Sequence, residues 1–311
     1  MVRTASLKTA ALAVLGLAAV GLAGCSTPTE ASCVRPAADS TALDLVTVSD
    51  DFGSTPQIDL YTPFHADEAS AVDVVVGDGQ RITDERQLIA FDLALVSGQS
   101  GEVLGEYAGQ TGQVSTFEQL LPAMPDALHC ATAGSRVVVA LSPDDITSEF
   151  AAGLGMTADE SAVAVIDVRD VYLAQADGAD VFVSDNSLPA VVRAVDGRPG
   201  VIVPDSAPPS DVVVQTLKKG DGTTVTGDAP VRVHFVAVDW DTKELTQSTW
   251  DSEPPSISLE AESPVLAEAL TGQTVGSQVL VVLPAGAGAG GVPATTILVL
   301  DILGIDPAVT E

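Results

Sequence analysis

The sequence predicts an α+β protein made of two similar units, each an antiparallel β-sheet with one short α-helix packed on it. Internal repetition is the first observation behind this. Gly77-Asp78-Gly79 recurs as Gly220-Asp221-Gly222, and Pro56-Gln57-Ile58 as Pro199-Gly200-Val201. Gly134-Ser135-Arg136-Val137 is answered by Gly276-Ser277-Gln278-Val279, and Val165-Ile166-Asp167-Val168 by Val299-Leu300-Asp301-Ile302. The landmarks keep their order, and one length change separates the copies, an enlarged loop between Pro143 and Ser161 of the first. The second observation is period: the apolar residues run as β-rich segments, with one helix-like stretch per copy. Many strands with a single short helix define an antiparallel α+β unit.

In chain order, residues 88–96, 137–141 and 162–171 read as strands of the first unit, which spans 43–175. Its helix falls near Leu120 to Leu128, weakened by Pro122 and Pro125. Residues 231–238, 279–283 and 296–303 are the counterparts in the second unit, 186–311. There Ser263 suits a helix N-cap and Pro264 the first turn, while Leu266 and Leu270 share a face. A linker is expected at 175–187, and Pro204 to Ser210 forms a Pro-rich loop inside the second unit.

Composition narrows the function classes. Thirteen Lys+Arg against 43 Asp+Glu give a net charge of −30, which argues against a surface built to neutralise phosphates, so no nucleic-acid partner is expected. An apolar fraction of 46% requires a packed core, and with 4% aromatics that core is mostly aliphatic. Three Cys and three His are too few for a zinc framework, and His65, His129 and His234 lack ligand spacing, so neither metal nor cofactor is expected. The run from Gly286 to Gly291 lacks the Lys-Ser/Thr ending of a phosphate loop and leads into a strand. Asp50-Asp51 and Asp144-Asp145 lack the Asp-x-Asp pattern of a calcium loop, and no nucleophile elbow supports Ser/His/Asp catalysis.

The N-terminus reads as an export signal. Arg3 and Lys8 precede an uncharged run from Ala10 to Gly24, too short for a spanning helix and suited to a signal h-region. It ends in Leu22-Ala23-Gly24-Cys25, which resembles the lipobox of bacterial lipoprotein precursors. That resemblance implies a signal peptide over 1–24, lipidation at Cys25, a tether over 25–42 and an extracytoplasmic protein held at the cell membrane. A plain secreted protein is the alternative. Stable anchoring takes more than one acyl chain. Outside the cytoplasm disulfides persist, and with Cys25 lipidated the remaining pair is Cys33 and Cys130. A bridge there would restrict the unfolded chain by roughly 4–5 kcal/mol in the loop-entropy model.

From about Val212 to Ile305 the second unit resembles the FKBP-type peptidyl-prolyl cis-trans isomerases. The motifs are Leu217-Lys218-Lys219-Gly220-Asp221-Gly222, Val231-x-Val233-His234-Phe235, Leu270-x-Gly272-x-x-Val275-Gly276-Ser277, Val282-Leu283-Pro284 and the closing run Leu298 to Leu303. The first unit inherits the reading through the repeat. The resemblance implies tandem FKBP-like domains, an apolar pocket between sheet and helix, and Xaa-Pro segments of exported proteins as partners. Rotation about an Xaa-Pro bond must overcome lost amide resonance, a barrier of about 18–20 kcal/mol. An enclosure that strips water and fits the twisted imide lowers it without nucleophile or metal.

Most of the family's aromatic pocket is replaced here. Phe235 stands where the family carries Tyr, Thr246-Gln247 where it carries Phe-Asp, and Glu262-Ser263 where the second backbone N–H holds the substrate carbonyl. Leu266 replaces the Trp floor, Ala289 the flap Tyr, and Leu298 the Phe of the last strand. In the first unit the matching positions are Leu93, Leu104, Met124 and Ala164. Two readings stay open: a slow isomerase using Phe235, Leu266, Leu298 and Ser263, or an inactive binding or chaperone scaffold.

Overall fold

A computed structural model describes residues 35, 41–259, 264–287 and 291–307. Residues 41–307, where described, fall in one compact unit. It is strand-rich, with two principal sheets. A hairpin of β1 (Val46–Val48) and β2 (Ile58–Leu60) comes first. Then β3 (Ser70–Val75), β4 (Leu88–Ser97), β5 (Val103–Gln113), β6 (Ser135–Leu141) and β7 (Ala162–Val171) form an antiparallel sheet ordered β3-β6-β7-β4-β5. The helices α1 (Met124–Leu128) and α2 (Ser148–Gly153) lie between its strands in sequence. After the two-residue β8 (Ala179–Asp180), a second hairpin joins β9 (Ala190–Arg193) to β10 (Pro199–Ile202).

The second sheet contains β11 (Val213–Lys219), β12 (Val231–Asp239), β13 (Leu245–Ser248), β15 (Gln278–Leu283) and β16 (Thr296–Ile305). The two-residue β14 (Ser256–Ile257) pairs with β12, and the helix α3 (Pro264–Leu270) precedes β15. Its order is β13-β12-β16-β15-β11-β8. Read from the other edge and without β8, β11-β15-β16-β12-β13 repeats the first sheet strand for strand.

The correspondence extends to irregularities. In the first sheet Ala90 pairs with Asp170 and Phe91 with Val168, so the ladder slips past Arg169. In the second Arg232 pairs with Gly304 and Val233 with Ile302, slipping past Leu303. The bulge fixes the register: Leu93 opposite Ile166 corresponds to Phe235 opposite Leu300.

The repeated glycines have a steric cause. A Cβ on Gly77 would lie 2.0 Å from the Ala133 carbonyl oxygen, and one on Gly220 2.1 Å from that of Val275. Each approach is locked the same way. The Thr132 hydroxyl donates to the Gly77 carbonyl (2.7 Å) while the Gly77 N–H donates to the Ser135 hydroxyl (2.9 Å). Thr274, Gly220 and Ser277 repeat both bonds at 2.6 and 3.0 Å.

Each sheet is covered on both faces, which explains why β6 and β15 are buried along their whole length rather than alternating. On one face lies a helix; on the other lies the unit's leading hairpin. In the first unit Val137, Val139, Ile166 and Leu93 join the helix-side core, while Val138, Ala140 and Val165 pack under Val46, Val48 and Leu60. In the second unit Val279, Val281 and Leu300 face α3, while Leu280, Val282 and Val299 pack under Val191 and Val201.

The structure refines three expectations. The helix expected near Leu120 to Leu128 is present but short: α1 begins only at Met124, beyond Pro122, with Pro125 accommodated in its first turn, and a separate 3-10 turn at Val114–Gln119 precedes it. The enlarged loop holds an additional helix, α2, where one helix per unit was expected. Residues expected as linker also include β8, which pairs with β11 at Lys218–Asp180 and Lys219–Ala179.

Candidate functional site: the helix-side face of the second sheet

Strand parity places Phe235 on the helix side of β12 and Leu298 on the same side of β16, while Pro264 opens the short helix that carries Leu266. All three pack against one apolar cluster with Ile257, Leu259, Val281, Leu283 and Leu300. They are half-buried, whereas Leu300 and Val281 beneath them are closed off from solvent. The residues nominated from sequence therefore converge at the solvent margin of one core. Ser263, Glu262 and Ala289 lie outside the described residues. Thr246 and Gln247 sit exposed on β13, and the Thr246 hydroxyl donates to the Ala237 carbonyl at 3.1 Å.

Thr249 was not singled out from the sequence, yet it fixes Phe235. Its hydroxyl accepts the Phe235 N–H at 2.9 Å, and its own N–H donates to the Phe235 carbonyl at 3.1 Å. Nδ1 of His234 lies 3.1 Å from the same hydroxyl, and the imidazole stacks on Trp250 with centroids 4.8 Å apart. His234 points to the hairpin side. Burial holds its pKa down to about 4, with Arg86 and Arg198 adding to the effect. It is a buried neutral support behind Phe235, one residue removed from the helix-side face.

The matching positions of the first unit are occupied differently. Leu93, Met124 and Ala164 are buried, and Leu104 packs against the same core. Over them the enlarged loop delivers Ile146, Phe150, Ala151, Leu154 and Met156. Phe91 and Phe117 add a tilted ring pair at 5.0 Å. The first unit's helix-side face is thus filled by its own insertion.

On the hairpin side, one buried carboxylate recurs in each unit. Asp167 accepts two bonds from the fully buried Arg136, at 2.6 and 2.7 Å, and Arg136 also donates to the carbonyls of Ser49 and Ser54. In the second unit Gln278 holds the register of Arg136 and donates to Asp301 at 2.6 Å. Its cation comes from the hairpin instead, with Arg193 3.4 Å from Asp301. Desolvation pushes the Asp301 carboxyl upward. These groups anchor the hairpins and present nothing reactive to solvent.

Among the described residues no group of three His, Cys, Asp or Glu is placed to hold a metal, and no helix is long and apolar enough to cross a membrane. Cys130 is disulfide-bonded and has a positive φ (73°), and Cys25 and Cys33 lie outside the described residues. Nearby, Arg35 donates to the His129 carbonyl at 2.7 Å and pairs with Asp73 at 2.8 Å.

What the helix-side face can offer a ligand is shape and apolar surface: one aromatic ring, aliphatic side chains, and no charged or nucleophilic group among those named. No protein-family model matches the sequence, and no curated protein matches it. Solved structures do match. The three FKBP domains of wheat FKBP73 align at 14% identity over 76% of this chain and 94% of that one, with a TM-score of 0.34. FkpA from Escherichia coli aligns at 21% identity over 40% of this chain and 54% of its own, with a TM-score of 0.29. FKBP12 from Mycobacterium tuberculosis aligns at 25% identity over 35% of this chain and 95% of its own, with a TM-score of 0.27.

Proposed function

We propose that this chain is an exported, membrane-anchored folding factor of the FKBP type, in which the second unit receives Xaa-Pro segments and turns them over weakly or not at all. The convergence of Phe235, Leu266 and Leu298 at the margin of one apolar core carries the reading. The proposal keeps the domain limits 43–175 and 186–311, the signal peptide 1–24, lipidation at Cys25 and the tether 25–42. It also pairs Cys33 with Cys130. Arg35, two residues beyond Cys33, bonds to the carbonyl of the residue preceding Cys130, which supports that pairing.

Weak turnover follows from contact area. Large aromatics bury about 150–250 Å² each, and a face with one ring and two leucines grips a twisted imide less firmly than a ring-lined enclosure. The alternative, an inactive binding or chaperone scaffold, is favoured for the first unit, whose face is filled by Phe150, Leu154 and Met156. A protease-coupled or NMR exchange assay on an Xaa-Pro peptide separates the two readings. The expected result is slow exchange that falls further with Phe235→Ala. Robust turnover lost on that substitution would overturn the weak-site view, and turnover indifferent to it would remove Phe235 from the site.

A further inference from the structure

We propose that the free edge of the second sheet, with the groove beside it, binds an extended segment of an unfolded polypeptide, alternating apolar and polar residues, in strand form. This surface is separate from the face that holds Phe235. The outermost strand is β8, and the chain continues past it through Val181, whose N–H donates to the Leu217 carbonyl at 2.8 Å. In an antiparallel pair successive residues alternate between inward and outward hydrogen bonding. Val181 is turned inward, so the N–H and C=O of Asp180 and Phe182 are directed away from the sheet. Among the described residues the Phe182 N–H has no hydrogen-bond acceptor.

The side chains beside this edge form a groove of about 800 Å³ with a mixed lining, in which Val181, Phe182, Leu188 and Ile202 stand beside Asp185 and Lys218. Phe182 is 91% exposed and Ile202 57%. Leu188, Val191 and Leu217 belong to the hairpin-side core, so the groove opens on the opposite side of the sheet from Phe235, Leu266 and Leu298. The outward backbone donors and acceptors of Asp180 and Phe182 call for another strand, and a lining of apolar and polar side chains calls for both kinds in alternation on it.

Charge selects between occupants. Locally the cations are matched, Lys218 with Asp180 at 2.8 Å and Arg193 with Asp301 at 3.4 Å, which leaves Asp185 as an anion of the lining without a cationic partner among the described residues. The whole chain carries −30, which repels a second copy and any acidic segment while admitting an uncharged or basic one. The occupant is therefore an uncharged-to-basic strand of alternating apolar and polar residues.

The test uses the full chain and a capped, proline-free heptapeptide of alternating Val and Thr with one Lys, followed by backbone amide shifts. Saturable shifts confined to residues 179–183 and the facing hairpin are expected. Phe182→Pro deletes the outward N–H without removing an internal bond, and weakens binding about tenfold or more, equivalent to 1.4 kcal/mol. Phe182→Ala keeps the backbone and weakens binding by a smaller factor, which serves if the proline variant does not fold. Unchanged affinity in both variants would overturn the proposal, as would shifts centred on Phe235. Self-association of the free protein that disappears in Phe182→Pro would assign the edge to a second copy and overturn it equally. Because the peptide contains no proline, failure here leaves the reading of the Phe235 face standing.

Discussion

His234 holds Phe235 from behind, and it does so uncharged. Its pKa of about 4 lies below the ordinary 6.5, because burial opposes the imidazolium. Between those values the unfolded chain binds more protons at this residue than the folded one, so its contribution to stability rises with pH and is complete above about 6.5. Acidification through the window costs up to roughly 3 kcal/mol from this group. Asp301, pushed upward, acts in the opposite sense from just above pH 3.8. The contribution of His234 is therefore isolated by comparing denaturant unfolding of the native chain and His234→Gln from pH 4 to 7. The difference between them should grow in favour of the variant as pH falls; a difference independent of pH would contradict burial in the neutral state. Phe235, Leu266 and Leu298 were legible in the sequence only through the resemblance of the motifs around them to the FKBP-type pattern. Thr249 was not, since its role depends on which segment lies opposite Phe235.

The repeated elements are bound by the same local constraints. Gly77 and Gly220 are conspicuous as sequence landmarks, and their reason is the carbonyl oxygen that occupies the space a side chain would need. Gly220→Ala is expected to cost about 3 kcal/mol, because backbone cannot withdraw as a flexible side chain can. Gly153→Ala, with open space around the new methyl, is expected to be neutral or stabilising in the same urea titration. Equal tolerance at both positions would show that the strand crossing is looser than described. Long apolar strands such as β6 were easy to anticipate, since burial on both faces leaves a continuous aliphatic run. The leading hairpins and β8 were not, because strands of two to four residues carry too little periodicity to separate them from loops. The length change between the copies was legible as an insertion, but α2 and its placement of Phe150 and Met156 over the first unit's core depend on tertiary packing.

At the scale of the whole molecule, the two sheets are joined through a polar contact at the end of the first and the last strand of the second. The Tyr172 hydroxyl donates to Asp306 at 2.6 Å, and Arg232 pairs with the same carboxylate at 2.9 Å. Burial and that carboxylate raise the Tyr172 pKa, so the phenol stays protonated and able to donate. The proposed anchor rests on the lipobox-like run and is tested by fractionation: Cys25→Ser is expected to move the protein from the membrane to the soluble fraction, and retention at the membrane would exclude lipidation there. Duplication was visible from short motifs because their order survived, and the shared strand order follows from it. The fate of each site was less visible, because the same degenerate lining is compatible with an open face or a filled one. One titration separates these outcomes most directly: amide shifts of the full chain on adding an Xaa-Pro peptide. The account predicts saturable shifts around Phe235, Leu266 and Leu298 and none around Leu93, Met124 and Ala164. Shifts at the first unit's face, or none at the second's, would contradict it.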